Sequence, residues 1–124
     1  MAKAMVIDDS RAIRMILART LREVGYEVCE AANGKEALAL LQQHHGEFSL
    51  VLVDWNMPEM DGLEFVRQVR SEPGWSGTTL MMVTTETELD QMMTALEAGA
   101  DEYVMKPFTK EIITDKLRLL GAIQ

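Results

Sequence analysis

Asp8-Asp9, Asp54, Thr84 and Lys106 each stand at the end of a short apolar run. The runs, residues 4–7, 50–53, 80–83 and 103–105, have the length of strands. If they lie side by side as parallel strands, their carboxyl ends share one rim, and residues far apart in sequence meet there. Three carboxylates, a hydroxyl and an ammonium at one spot form a site for a divalent cation and a phosphoryl group. A carboxylate at such a spot can act as a nucleophile and form an acyl phosphate. Attack by an anion on a phosphoryl group needs charge neutralisation, which Mg²⁺ supplies as a hard, oxygen-liganded ion. Lys106 offers a second, compact positive charge and Thr84 a hydroxyl donor.

Each of these residues also has a plainer reading. Asp9 can be the N-cap of the first helix, Thr84 and Thr87 strand-end or capping residues, and Lys106 a solvated charge. Asp61 reads as an N-cap rather than a ligand. The plain readings weaken when the residues are taken together. Carboxylates about 4 Å apart repel by roughly 4 kcal/mol at an effective dielectric of 20. Stability alone does not favour three of them without a cation.

The elements that must position these groups alternate strictly. Ile13, Leu17, Leu21 and Val24 form one helical face, closed by Gly25. Residues 26–31 read as a strand whose Glu27 and Glu30 suit a sheet edge. Asn33, with Glu36 three residues on, opens a second helix carrying Ala37, Leu38 and Leu41. The run 50–53 is apolar throughout, as in a strand covered on both faces. A third helix begins near Asp61, with Leu63, Val66 and Val69. Residues 71–77, with Pro73, Gly74 and Gly77, read as a loop in which Trp75 has no assigned role. Leu89, Met92, Met93 and Leu96 mark a fourth helix ended by Gly99; Ile112, Ile113, Leu117 and Leu120 mark a fifth. Five β-α units predict an α/β fold, a doubly wound parallel sheet with helices on both faces.

Composition narrows the function classes. A length of 124 residues is that of one domain, taken as 1–124, large enough for its own core. The net charge of −8 argues against a nucleic-acid surface, which needs clustered Lys and Arg. No apolar stretch approaches ~20 residues, so no membrane span is expected. The N-terminal residues lack the pattern of a signal peptide, which predicts a cytoplasmic protein. Cys29, the sole cysteine, rules out an internal disulfide and is expected to be a buried, inert thiol. His44 and His45 read as solvated imidazoles near a helix C-terminus.

The segment Asp54-Trp55-Asn56-Met57-Pro58-Glu59-Met60-Asp61-Gly62, with Asp8-Asp9, Thr84 and Lys106-Pro107-Phe108 in this order, resembles the receiver domain of bacterial two-component response regulators. The likeness spans essentially the whole chain and is nearest to the single-domain chemotaxis regulators of that family. It implies a flavodoxin-like sheet with strand order 2-1-3-4-5. It also implies phosphorylation of Asp54 by a histidine kinase, with Mg²⁺ held by Asp9, by Asp8 mainly through water, by Asp54 and by the main-chain carbonyl of Asn56. By the same likeness the Lys106–Pro107 peptide is cis, and Thr84 and Lys106 contact the phosphoryl group. Thr84 then moves toward that group and the ring of Tyr103 turns inward. The readout surface is implied to be the fourth helix, fifth strand and fifth helix, with Glu88, Lys110 and Lys116 as polar contacts. Asn56 and Glu86 flank the path of hydrolytic water, while Thr85 departs from the family's small residue and is expected to narrow phosphodonor access. Such a domain catalyses only its own phosphorylation and dephosphorylation, and is a switch rather than a conventional enzyme. With no output domain in this sequence, the expected target is another protein, either a flagellar-motor switch protein or a phosphotransfer protein of a phosphorelay. A haloacid-dehalogenase-type phosphatase expects an acid at the position of Asn56. A flavodoxin-like electron carrier is opposed by Asp8-Asp9, which would repel an anionic cofactor. An adaptor with a silent site is the third alternative.

Overall fold

In the computed structural model, which describes residues 2–44, 47–85 and 89–123, local sequence signals account for most helix ends. The first strand, β1 (Lys3–Ile7), leads into α1 (Arg11–Glu23), whose N-cap is Ser10: its hydroxyl accepts the Ile13 amide at 3.3 Å. Asp9 is therefore not the cap, and its carboxylate is left for other work. Gly25 follows the α1 C-cap Val24 with φ +103°, a left-handed conformation that residues with a Cβ rarely adopt. After β2 (Glu27–Ala31), Asn33 caps α2 (Gly34–Gln43) by accepting the Glu36 amide at 2.8 Å. Glu36 reaches back to the Ala32 amide at 3.4 Å, a variant of the reciprocal capping box. Asp61 caps α3 (Gly62–Ser71) in the same manner, accepting the Glu64 amide at 2.8 Å.

β3 (Phe48–Asp54) is longer than the apolar run 50–53, because Phe48 and Asp54 also satisfy the ladder. The expected loop 71–77 is partly ordered: Ser71 ends α3, and Pro73–Trp75 form a 3-10 turn with proline at its first position. Trp75 is half-buried and packs against the core. The chain continues through β4 (Thr79–Thr84), α4 (Leu89–Ala98), β5 (Glu102–Met105) and α5 (Lys110–Leu119).

All strand pairs are parallel, in the order β2-β1-β3-β4-β5. Alternate residues of each strand point to opposite faces. Ala4, Val6, Leu50, Leu52 and Val83 meet Leu17 and Leu21 of α1 and Ile113 and Leu117 of α5. Met5, Ile7, Val51, Val53 and Met82 meet α2, α3 and α4 through residues such as Leu41, Phe65 and Ala95. Residues 50–53 are wholly buried. Removing one such leucine costs ~2–5 kcal/mol, so the strand carrying Asp54 is a stiff support. The edge strand β2 exposes Glu27 and Glu30, and Cys29 is only half-buried there, because an edge strand is incompletely covered. His44 is the C-cap of α2, half-buried with its ring edge-on to Phe48 at 5.3 Å, rather than freely solvated. His45 and three residues named from the sequence, Glu86, Thr87 and Glu88, lie outside the described residues. Among the described residues no helix is long and apolar enough to cross a membrane.

Candidate metal centre

Strand register decides which polar residues meet. Ile7 pairs with Val53, Asp54 with Val83 and Thr84 with Met105, so the strands end at nearly one level. Asp8 leaves β1, Asp54 ends β3, Thr84 ends β4 and Lys106 follows β5. The Lys106 amide donates to the Thr84 carbonyl at 2.8 Å, fixing the two strand ends together. The Lys106–Pro107 peptide bond is cis.

At this rim the Lys106 ammonium donates to Asp8 Oδ2 at 2.9 Å and to Asp54 Oδ1 at 3.2 Å. Asp8 is 1% exposed and Asp54 5%, whereas Asp9 is open to solvent. One oxygen from each of Asp8, Asp9 and Asp54 lies within 4.8 Å of the others. Three ionised carboxylates and one ammonium leave two negative charges uncompensated, the complement of a divalent cation. The donors are hard oxygens and one carboxylate faces water, which suits an ion that keeps several waters in its shell. The residues present therefore fit Mg²⁺.

Electrostatics give the same picture. Burial pushes the Asp54 carboxyl above its ordinary range and the Asp8 charge pushes it further; the Lys106 charge, its hydrogen bond and that of the Asn56 main chain oppose this. For Lys106, burial disfavours the ammonium, but the hydrogen bond to Asp8 and the charges of Asp54 and Asp8 outweigh it, and its pKa is raised. One cation shared between two buried carboxylates is itself well satisfied and leaves both of them short of charge.

The remaining predicted residues occupy distinct places. Thr84 is fully buried beneath the rim, and Thr85 is exposed beside it. Asn56 is exposed in the β3–α3 loop, next to the half-buried Trp55. Tyr103 is 7% exposed, its ring in the core on the α2–α4 face with Met82 and Ala95. Of the polar residues assigned to readout, Lys110 pairs with Glu23, and Lys116 with Glu102 at 3.3 Å.

Two residues at the site have structural roles that the sequence did not assign. A Cβ on Gly62 would lie 2.2 Å from the Asp54 carbonyl oxygen, and its amide donates to the Trp55 carbonyl at 2.8 Å. The α3 N-terminus thus rests directly on the main chain of Asp54, which only glycine permits. Arg14 reaches back from α1 to the Asp8 carbonyl oxygen at 2.6 Å. Gly62 lies within the quoted motif, where a glycine next to an N-cap could have flagged a close approach; nothing local marks Arg14.

Comparison with known proteins agrees with the geometry. The family model described as "Response regulator receiver domain" matches residues 4–118. The chain is 42% identical over 116 residues to the "Chemotaxis protein CheY homolog" of Campylobacter jejuni, covering 93% of this chain and 88% of that one. It is 40% identical to "Chemotaxis protein CheY1" of Helicobacter pylori, over 95% of each. The solved structure of the chemotaxis response regulator CheY4 of Vibrio cholerae superposes with a TM-score of 0.89 at 39% identity, over 97% of this chain and 98% of the other.

Proposed function

Because this chain belongs to the response regulator receiver family, we propose that residues 1–124 act as one phosphorylation-driven switch of a two-component system, with Asp54 as the phosphoacceptor. The observation that carries this reading is the Lys106 ammonium held between two buried carboxylates, Asp8 and Asp54, with Asp9 open to solvent beside them. Asp8, Asp9, Asp54 and the Asn56 carbonyl are the residues that would hold Mg²⁺. When bound, that ion neutralises charge on the transferring phosphoryl oxygens.

Asp54 attacks the phosphorus of a phosphohistidine on the kinase. An O–P bond forms, the N–P bond breaks, and the leaving imidazole nitrogen takes up a proton. Lys106 already spans two anionic sites and transfers one of its hydrogen bonds to a phosphoryl oxygen, as a flexible ammonium can. Thr84, at the next strand end, donates its hydroxyl to the same group. Asn56 cannot donate a carboxyl proton at its position, which disfavours a haloacid-dehalogenase-type phosphatase and suits an acyl phosphate that persists before hydrolysis.

The signal leaves through α4, β5 and α5. These elements line a groove of about 430 Å³ that includes Leu89, Met93, Tyr103, Met105 and Ile112. Leu89, Met93, Leu96, Met105 and Ile112 are all substantially exposed, an apolar patch of the kind that marks a docking surface. Tyr103 is 7% exposed and lines this groove; in this reading phosphorylation acts by shifting the population of its ring conformers toward the inward one. The relatives are named as chemotaxis proteins, which supports a chemotaxis role for this chain; the target proposed for it is a flagellar-motor switch protein in the cytoplasm. A phosphotransfer protein of a phosphorelay is the alternative output.

Trp55 adjoins Asp54, so its fluorescence is the test. It is expected to change on Mg²⁺ addition and again with beryllium fluoride or a small phosphodonor. In Asp54→Asn the second response should vanish while a metal response persists. A Trp75→Phe background removes the other indole. Absence of any metal response in the wild-type chain would end the phosphoryl-switch reading.

A further inference from the structure

Arg14 touches none of the groups assigned to phosphoryl chemistry, yet it grips the loop that carries two of them. Its Nη1 donates to the main-chain oxygen of Asp8 at 2.6 Å, and its Nε donates to Glu30 Oε1 on the edge strand β2 at 3.3 Å. Its side chain is only 16% exposed, whereas the neighbouring Arg11 at the helix start is open to solvent. Burying a guanidinium is unfavourable unless its donors are used, and here Nη1 is used on the β1–α1 loop and Nε on β2. With Arg14 in place, all four hydrogen-bonding groups of Asp8 are occupied. Its amide donates to the Ala31 carbonyl at 3.2 Å. Oδ1 accepts the Ser10 amide at 2.8 Å, Oδ2 accepts from Lys106, and the carbonyl accepts from Arg14. The next residue, Asp9, is exposed, so its carboxylate takes its direction from this pinned main chain.

We propose that Arg14 is a positioning residue for divalent-cation binding: by clamping the Asp8 peptide to β2, it sets the direction in which the loop presents Asp9. This rests on the Mg²⁺ reading above. Charge and geometry predict opposite signs for its removal. A bare positive charge near three carboxylates repels a cation, so deleting it should tighten binding. Glu30 neutralises that charge, and what remains is the clamp, whose loss weakens binding.

The test is Mg²⁺ titration of the full chain, followed by Trp55 fluorescence and by calorimetry, with thermal unfolding in EDTA run in parallel. Arg14→Met is expected to raise the Mg²⁺ dissociation constant roughly tenfold, the lower end of the effect of outer-shell partners on metal affinity. Arg14→Lys should recover part of that loss, because an ammonium reaches one of the two acceptors but cannot fork to both. Arg11→Met, which removes the same charge without touching Asp8, should leave the affinity within about twofold of wild type. A purely structural role would lower the unfolding temperature in EDTA without changing Mg²⁺ affinity, and that result overturns the proposal, as does unchanged or tighter binding in Arg14→Met. If Arg14→Met does not fold, Arg14→Lys decides: weaker binding supports the clamp and wild-type binding refutes it. A wild-type chain that ignores Mg²⁺ removes both this inference and the switch, whereas a normal wild-type response with an indifferent Arg14→Met removes this inference alone.

Discussion

Asp54 sits in the kind of environment that a nucleophilic carboxylate needs and a stable protein avoids. Its pKa is raised in the folded chain, first by burial and then by Asp8. A raised carboxyl means that the native state binds more protons than the unfolded chain, so stability falls as pH rises from the ordinary carboxylate value through the folded one. Asp54→Asn abolishes that decline. In EDTA the variant is expected to unfold at a higher temperature than wild type at pH 7, with the difference vanishing near pH 3. Parallel pH–stability curves for the two proteins would contradict this. Thr85 raises a separate issue at the same rim. It is exposed immediately after the buried Thr84, where its branched side chain is expected to narrow the approach to the site. Thr85→Ala should therefore accept phosphate from a small donor about threefold faster, equivalent to ~0.7 kcal/mol of barrier. An unchanged rate in stopped-flow Trp55 fluorescence would show that the side chain does not obstruct the donor.

At the scale of elements, the site depends on contacts between backbones as much as on side chains. Gly62 lets α3 seat against the Asp54 main chain. Gly62→Ala should cost ~1–3 kcal/mol in urea unfolding, the usual penalty of overpacking, and should slow phosphorylation because the strain falls on the nucleophile. A variant of unchanged stability would mean that the α3 N-terminus can move aside. On the opposite side of β4, Tyr103 packs in the core and lines the α4–β5–α5 groove. Tyr103→Ala is expected to leave phosphorylation of Asp54 intact and to weaken partner binding about tenfold or more, as truncation of an aromatic anchor does. Equal partner affinity, measured by titration calorimetry on the beryllium fluoride forms, would remove Tyr103 from the signal path.

For the molecule as a whole, the acidic rim links ligand binding to folding. Its carboxylates converge only when β1 and β3 are paired, so the proposed Mg²⁺ site would exist in the folded chain and not in the unfolded one. At free Mg²⁺ about a hundredfold above its dissociation constant, the gain is ~2.7 kcal/mol, visible as a higher unfolding temperature in calorimetry. The gain should largely disappear in Asp9→Asn. A thermal midpoint indifferent to Mg²⁺ would exclude specific binding at the rim.

The order of elements, the two-sided sheet and the four polar strand-end positions were legible in the chain itself, because strand and helix periodicity are local and Asp8, Asp54, Thr84 and Lys106 each end an apolar run. The caps Asn33 and Asp61 were legible for the same reason: a cap and the amide it accepts lie three residues apart. Ser10 displaced Asp9 as the first cap because α1 begins at Arg11, one residue later than an Asp9 cap requires, and sequence does not rank two adjacent cap candidates. Cys29 and His44 were misjudged on burial, since exposure depends on what an edge strand and a helix end meet in space. Only the tertiary structure could decide that Lys106 bridges Asp8 and Asp54, residues 98 and 52 positions away. It alone could show that Gly62 must lack a side chain and that Arg14 turns back onto Asp8. Sequence determines which groups reach the rim; packing determines the distances between them, and a carboxylate's pKa, a cation's fit and a phosphoryl group's reception all depend on those distances.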